Sequence, residues 1–117
     1  MKTSYFKTLY SNINQLESNN VTFENTINAI TDNAIKIGHC VHISFEFYMK
    51  AGYNFNGNAK IATLPYKARS PQYGGVAWIS NNNTAASIYV NEDKLYMQSS
   101  ITIPENVTIR GGIDYLS

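Results

Sequence analysis

Hydrophobic and polar positions alternate most clearly at residues 40–50, CVHISFEFYMK. Val41, Ile43, Phe45, Phe47 and Met49 fall on one side, and Cys40, His42, Ser44, Glu46, Tyr48 and Lys50 on the other. Strict period two over a run of this length predicts a half-buried strand. Residues 34–37 read as a short strand before it, with Gly38-His39 as a two-residue hairpin turn. Further strands are expected at 60–64, 75–80, 86–90, 94–98, 101–103 and 107–116. Asn91-Glu92-Asp93 is read as a turn, and Gly111-Gly112 as a bulge or bend. The segment 65–71, bounded by Pro65 and Pro71, should be irregular. The core implied by these faces is Ile35, Ile37, Val41, Ile43, Phe45, Phe47, Ile61, Leu64, Val76, Ile88, Val90, Leu95, Ile101, Ile103, Val107, Ile109 and Ile113.

The first twenty residues follow a different rhythm. Phe6, Leu9, Ile13 and Leu16 are spaced three, four and three, as on an a/d seam. This predicts a short N-terminal α-helix over 1–20. It either packs on its own domain or forms the end of a stem joining several chains. Residues 21–117 then form the main domain. Short strands with turn signals every 8–12 residues mean an antiparallel β-sandwich or barrel.

Composition sharpens this picture. The chain has 117 residues, enough for one domain with its own core. Nine Lys plus Arg against eight Asp plus Glu leave no basic patch for nucleic acid. Polarity comes instead from fifteen Asn, beside nine Tyr. No stretch reads as a signal peptide or as a membrane-crossing helix.

Catalytic chemistry finds little support. Cys40 and His42 share a strand face, but i and i+2 positions stand about 7 Å apart, beyond hydrogen-bond reach. Two imidazoles and one thiol make a poor metal set, so no metal or other cofactor is expected. Glu46, Glu92, Asp93, Glu105 and Asp114 are too scattered for paired-carboxylate glycosidase chemistry. Saccharide recognition asks for aromatic faces beside amide and guanidinium groups. The loops supply these as Tyr53, Asn54, Asn56, Tyr66, Arg69, Tyr73, Asn81, Asn82 and Asn83. Trp78 is the ambiguous member, since its strand position also suits the core.

Four pieces occur in order: residues 35–43 (IKIGHCVHI), 61–65 (IATLP), 87–95 (SIYVNEDKL) and 107–116 (VTIRGGIDYL). This succession resembles the C-terminal β-sandwich heads of phage tail-fibre, baseplate and receptor-binding proteins. It departs from them in reading Leu64-Pro65-Tyr66-Lys67-Ala68-Arg69-Ser70-Pro71 after its third strand, and in placing Glu92-Asp93 where a turn glycine is usual. The resemblance implies a jelly-roll-like head, a homotrimer on a helical stem, other tail or baseplate proteins as neighbours, and a host cell-wall or surface glycan as ligand. It implies a binding protein rather than an enzyme, located at a virion tail tip and made in the host cytoplasm. A purely structural tail component and a non-viral lectin-like adhesin domain remain open alternatives.

Overall fold

A computed structural model describes residues 16–81 and 83–117. Eleven strands run in chain order. They are β1 (Leu16–Asn20), β2 (Thr22–Phe23), β3 (Ile27–Ile37), β4 (Cys40–Met49), β5 (Tyr53–Asn54), β6 (Gly57–Thr63), β7 (Gln72–Ile79), β8 (Thr84–Asn91), β9 (Lys94–Ser99), β10 (Thr102–Ile103) and β11 (Thr108–Leu116). Nine form one antiparallel sheet in the order β1-β3-β4-β11-β7-β8-β9-β6-β2.

The two edges of this sheet are consecutive pieces of chain. Residues 16–20 pair with β3, Val21 N–H donates to Asp32 O, and Thr22-Phe23 then crosses to pair with β6. One segment thus bridges both edges and leaves the sheet nearly closed and barrel-like. The antiparallel, mostly β expectation holds at that level. The helix expected over 1–20 does not include 16–20, which are extended and paired. Phe6, Leu9 and Ile13 lie outside the described residues, and Leu16 is an exposed strand residue.

The interior is apolar. Phe23, Phe45 and Phe47 cluster with ring centres 5.4 to 6.0 Å apart, surrounded by Ile43, Met49, Ile61, Ile79, Ile88, Leu95, Met97 and Ile109. A β5–β10 ribbon lies over one end, with Phe55 and Ile103 buried beneath it. The proline-bounded segment covers the other. It is irregular, as expected, yet Leu64, Tyr66 and Ala68 alternate inward, held by Leu64 N to Asp93 O, Ala68 N to Glu92 O and Arg69 N to Leu116 O.

Three sequence expectations fail here. Val76 and Ile37 are exposed and Ile35 is only partly covered, because β7 and the end of β3 face the other way. Gly75, Ala77 and Ile79 point inward from β7 instead. Ile88 and Ile113 occupy the room beside Gly75 so closely that a Cβ there would lie 2.4 Å from Ile88 Cγ1. Available volume, not side-chain hydropathy, sets that facing. Ile101 and Val107 are likewise only partly buried. Finally, Gly111-Gly112 is no bulge: β11 stays in register with β4 throughout. The register shifts fall at Ala29/Thr31, Lys60/Ala62 and Gln72/Gly75.

Candidate functional site

The pairing register sorts the loops onto the two barrel ends. Loops 50–56, 80–83 and 99–107 share one end with residues 24–26. The Gly38-His39 turn, segment 64–71 and the Glu92-Asp93 turn share the other. The ten sequence candidates therefore divide. Tyr53, Asn54, Asn56, Trp78, Asn81 and Asn83 belong to the first end, Tyr66 and Arg69 to the second. Tyr73 stands on the outer wall, and Asn82 lies outside the described residues.

Tyr66 leaves the candidate set. It is 8% exposed, its hydroxyl accepts from Asn19 Nδ2 at 2.9 Å, and Lys36 Nζ lies 5.3 Å from its ring centre. Its carbonyl accepts the Tyr115 hydroxyl at 2.6 Å. Arg69 is exposed and reaches back to the Ser117 carbonyl at 3.4 Å. Trp78 points outward at 39% exposure and donates from Nε1 to Asn83 Oδ1 at 3.0 Å, so Asn83, at φ 53, orients the indole. Asn54 accepts from Thr102 Oγ1 at 3.2 Å, and Asn56 and Asn81 are exposed.

The first end carries a cleft of about 240 Å3 lined by Glu24, Asn25, Thr26, Ile27, Met49, Tyr53, Phe55, Ala59, Lys60 and Ile61. Tyr53 is 37% exposed and packs its ring 4.6 Å from that of Phe55, which is 2% exposed. The buried Phe55 fixes a partly open aromatic face, so little rotamer freedom remains to be lost on binding. Lys60 Nζ lies 3.2 Å from Glu24 Oε1, both about 40% exposed. The cleft thus offers an apolar floor, an aromatic ring, an ammonium, a carboxylate, an amide and a hydroxyl. Glu24 is the sole carboxylate among its lining residues, and paired-carboxylate hydrolysis needs two.

A second aromatic feature runs along the outer wall. Tyr73, Tyr89 and Tyr96 stack across β7, β8 and β9, with centres 5.1 and 5.0 Å apart and planes 27° and 12° from parallel. Partial burial, and the neighbouring phenols Tyr96 and Tyr73, push the Tyr89 hydroxyl pKa upward. Tyr73 is 68% exposed and presents the free end of this stack. Lys60 stands opposite Tyr96 in the pairing, so the row leads to the cleft rim.

Sequence reasoning missed Glu24, Asn25, Lys60, Tyr89 and Tyr96. The two tyrosines were discoverable, since each sits between inward residues (Ile88 and Val90, Leu95 and Met97) and must face out. Glu24 and Lys60 meet only through the β2–β6 closure, which no local signal announces.

His42 Nδ1 and Asp114 Oδ1 are 2.6 Å apart on the outer wall, both well exposed. Among the described residues no three His, Cys, Asp or Glu side chains gather as a metal would require. No protein-family model matches the chain, and no curated protein matches it in sequence.

Proposed function

We propose that this chain is a phage, or prophage-derived, tail receptor-binding head that recognises a host cell-wall or surface saccharide without chemical change. In this reading the barrel-like sheet is a variant of the β-sandwich heads that the four sequence motifs resemble. The observation that carries it is the cleft at the loop end. Tyr53, braced by Phe55, offers an apolar face to a pyranose ring, and Lys60, Glu24, Asn25 and Thr26 offer the donors and acceptors its hydroxyls need. Trp78 with Asn83, and Asn54 and Asn56, extend the polar and aromatic surface of the same end. The heads are trimeric in this account, and they sit at the tail tip beside other baseplate proteins.

The test is binding of the full chain to a panel of bacterial surface polysaccharides and cell-wall fragments. Tyr53→Ala and Lys60→Ala should weaken capture without altering folding. A purely structural tail component is the second reading. It is favoured by the exposed apolar side chains of Leu16, Ile37 and Leu116 at the opposite end, and it requires that no saccharide be captured.

A further inference from the structure

We propose that a shallow trough across the outer wall is a second saccharide subsite, one that holds several sugars of a linear, uncharged glycan. The inference rests on the saccharide-binding reading above and extends it from the cleft to the wall. The trough follows from the register. Ser44 of β4 stands opposite Gly112 of β11, Gly112 opposite Val76 of β7, and Val76 opposite Ser87 of β8. Directly opposed residues project from the same face, and Val76 is 54% exposed, so this row faces out. It continues through Gln98 of β9 to Asn58 of β6. Six strands at about 4.8 Å spacing make a floor roughly 24 Å long. Its first four positions carry nothing larger than valine. Two residues to one side stand Glu46, Arg110 and Trp78. Two residues to the other stand His42 with Asp114, and further along Tyr89, Tyr96 and Lys60. These flanking rows lie about 13 Å apart at the backbone, and they carry the long side chains.

Tyr73 completes the second row through an irregularity. It has the parity of Gly75, Ala77 and Ile79, which all point inward, so an unbroken strand would turn Tyr73 into the barrel. Instead the β7–β8 register shifts between Gln72 and Gly75, and Tyr73 and Gly74 together face Tyr89. Gly74 takes φ 108, a region that favours glycine. Beyond Val76 and Gly112, the last β7–β11 pair, the Gln72 side chain takes over the ladder. Its Nε2 donates to Leu116 O and its Oε1 accepts from Leu116 N, both at 2.9 Å. Bulges of this kind re-aim a side chain beside a site. Here that side chain is a phenol with one ring face on Tyr89 and the rest open, at 68% exposure. Across the floor, the Trp78 indole is held by Asn83. Aromatics on both sides of a floor of small residues suit the apolar faces of successive pyranose rings. Ser44, Ser87, Gln98 and Asn58 meet their hydroxyls. The charged side chains beside the trough already have partners: Arg110 with Glu46 at 3.1 Å, His42 with Asp114 at 2.6 Å, and Lys60 with Glu24 at 3.2 Å. A charged glycan would have to displace one of these partners, and a neutral one displaces none. Because Tyr96 is paired with Lys60, the trough ends at the cleft rim, and one chain of sugars spans both.

The test measures capture of a neutral bacterial cell-wall polysaccharide by the wild-type chain, Tyr73→Ala and Val76→Gln. The same proteins are given the monosaccharides and graded oligosaccharides released from it by partial acid hydrolysis, with an acidic polysaccharide as comparator. Both positions are more than half exposed, so the fold should tolerate the changes, and thermal melts check it. Wild-type affinity should rise with oligosaccharide length. Both variants should lose that rise and capture the neutral polysaccharide about tenfold more weakly, while monosaccharide capture at the cleft stays unchanged. Variants that bind every length as the wild type does, beside a Tyr53→Ala that weakens capture, overturn the trough and leave the cleft standing. A wild type that captures only the acidic polysaccharide also overturns the trough. A wild type that captures no saccharide overturns both readings.

Discussion

Tyr89 and Tyr96 stand directly opposite each other on β8 and β9, their ring centres 5.0 Å apart and their planes within 12° of parallel. Rings this close and this parallel are offset-stacked. With Tyr73 they form a three-ring stack on the outer wall, Tyr89 in the middle. Aromatic pairs of this kind contribute about 0.5–1.5 kcal/mol beyond their buried area. Tyr89 touches both other rings and Tyr73 only one. Tyr89→Ala should therefore cost more stability in urea melts than Tyr73→Ala. A double-mutant cycle at Tyr89 and Tyr96 should show a coupling of about 1 kcal/mol, and additive losses would mean the rings do not support each other.

Gly111 lies between strands β4 and β7 with no room for a side chain. Its register partners are Phe45 on β4 and Ala77 on β7, and a Cβ there would lie 2.5 Å from Val76 O and 2.8 Å from Phe45 Cζ. Because backbone cannot step aside as a side-chain tip can, Gly111→Ala should destabilise by about 1–3 kcal/mol or more. Gly38, at φ +61 with open space around it, should lose only the left-handed backbone preference, about 1–2 kcal/mol on Gly38→Ala. Comparing the two melting curves separates crowding from conformational strain.

Glu92 occupies the position where a hairpin turn favours glycine. Its φ is 56, a left-handed conformation costly to a side chain with a Cβ. Its carbonyl accepts from Ala68 N at 2.8 Å, and that backbone bond survives any substitution. Glu92→Gly should therefore raise stability by up to about 1 kcal/mol, less the extra freedom glycine gives the unfolded chain. A lower urea midpoint would contradict this.

Alkali should loosen the second barrel end. Burial, and then Tyr66 beside it, raise the Tyr115 phenol well above its ordinary value. In the unfolded chain it ionises near pH 10. Its contribution is fully present below that pH. Above it stability falls, because the unfolded chain releases the proton first. Melts at pH 8 and pH 11 should show this fall, and it should be smaller in Tyr115→Phe. That variant should also be about 1 kcal/mol weaker at pH 8, having lost the bond to Tyr66 O.

The hairpins were legible because period two is local: β4, the Gly38-His39 turn and the β8–β9 pair all announced themselves. Facing was not legible where interior volume decides it, as at Val76 beside Gly75, nor was the strand role of residues 16–20, whose heptad-like spacing read as a helix and whose partner Asn33–Ile37 no local signal names. The site was half legible. Tyr53 was chosen because it is an aromatic in a loop. Tyr66 was chosen for the same reason and proved buried, since the segment between the prolines alternates inward as a strand would. Lys60 and Glu24 become neighbours only when the sheet curls shut.

The most direct test of the central claim is saccharide binding by the wild-type chain and Tyr53→Ala, side by side on the same polysaccharide panel. The account predicts capture of at least one surface glycan by the wild type and about tenfold weaker capture by Tyr53→Ala, a difference of about 1.4 kcal/mol, with the variant still cooperatively folded and its melting temperature lowered only by the lost Tyr53–Phe55 contact. Capture of no saccharide by the wild type, or equal capture by both proteins, would contradict it.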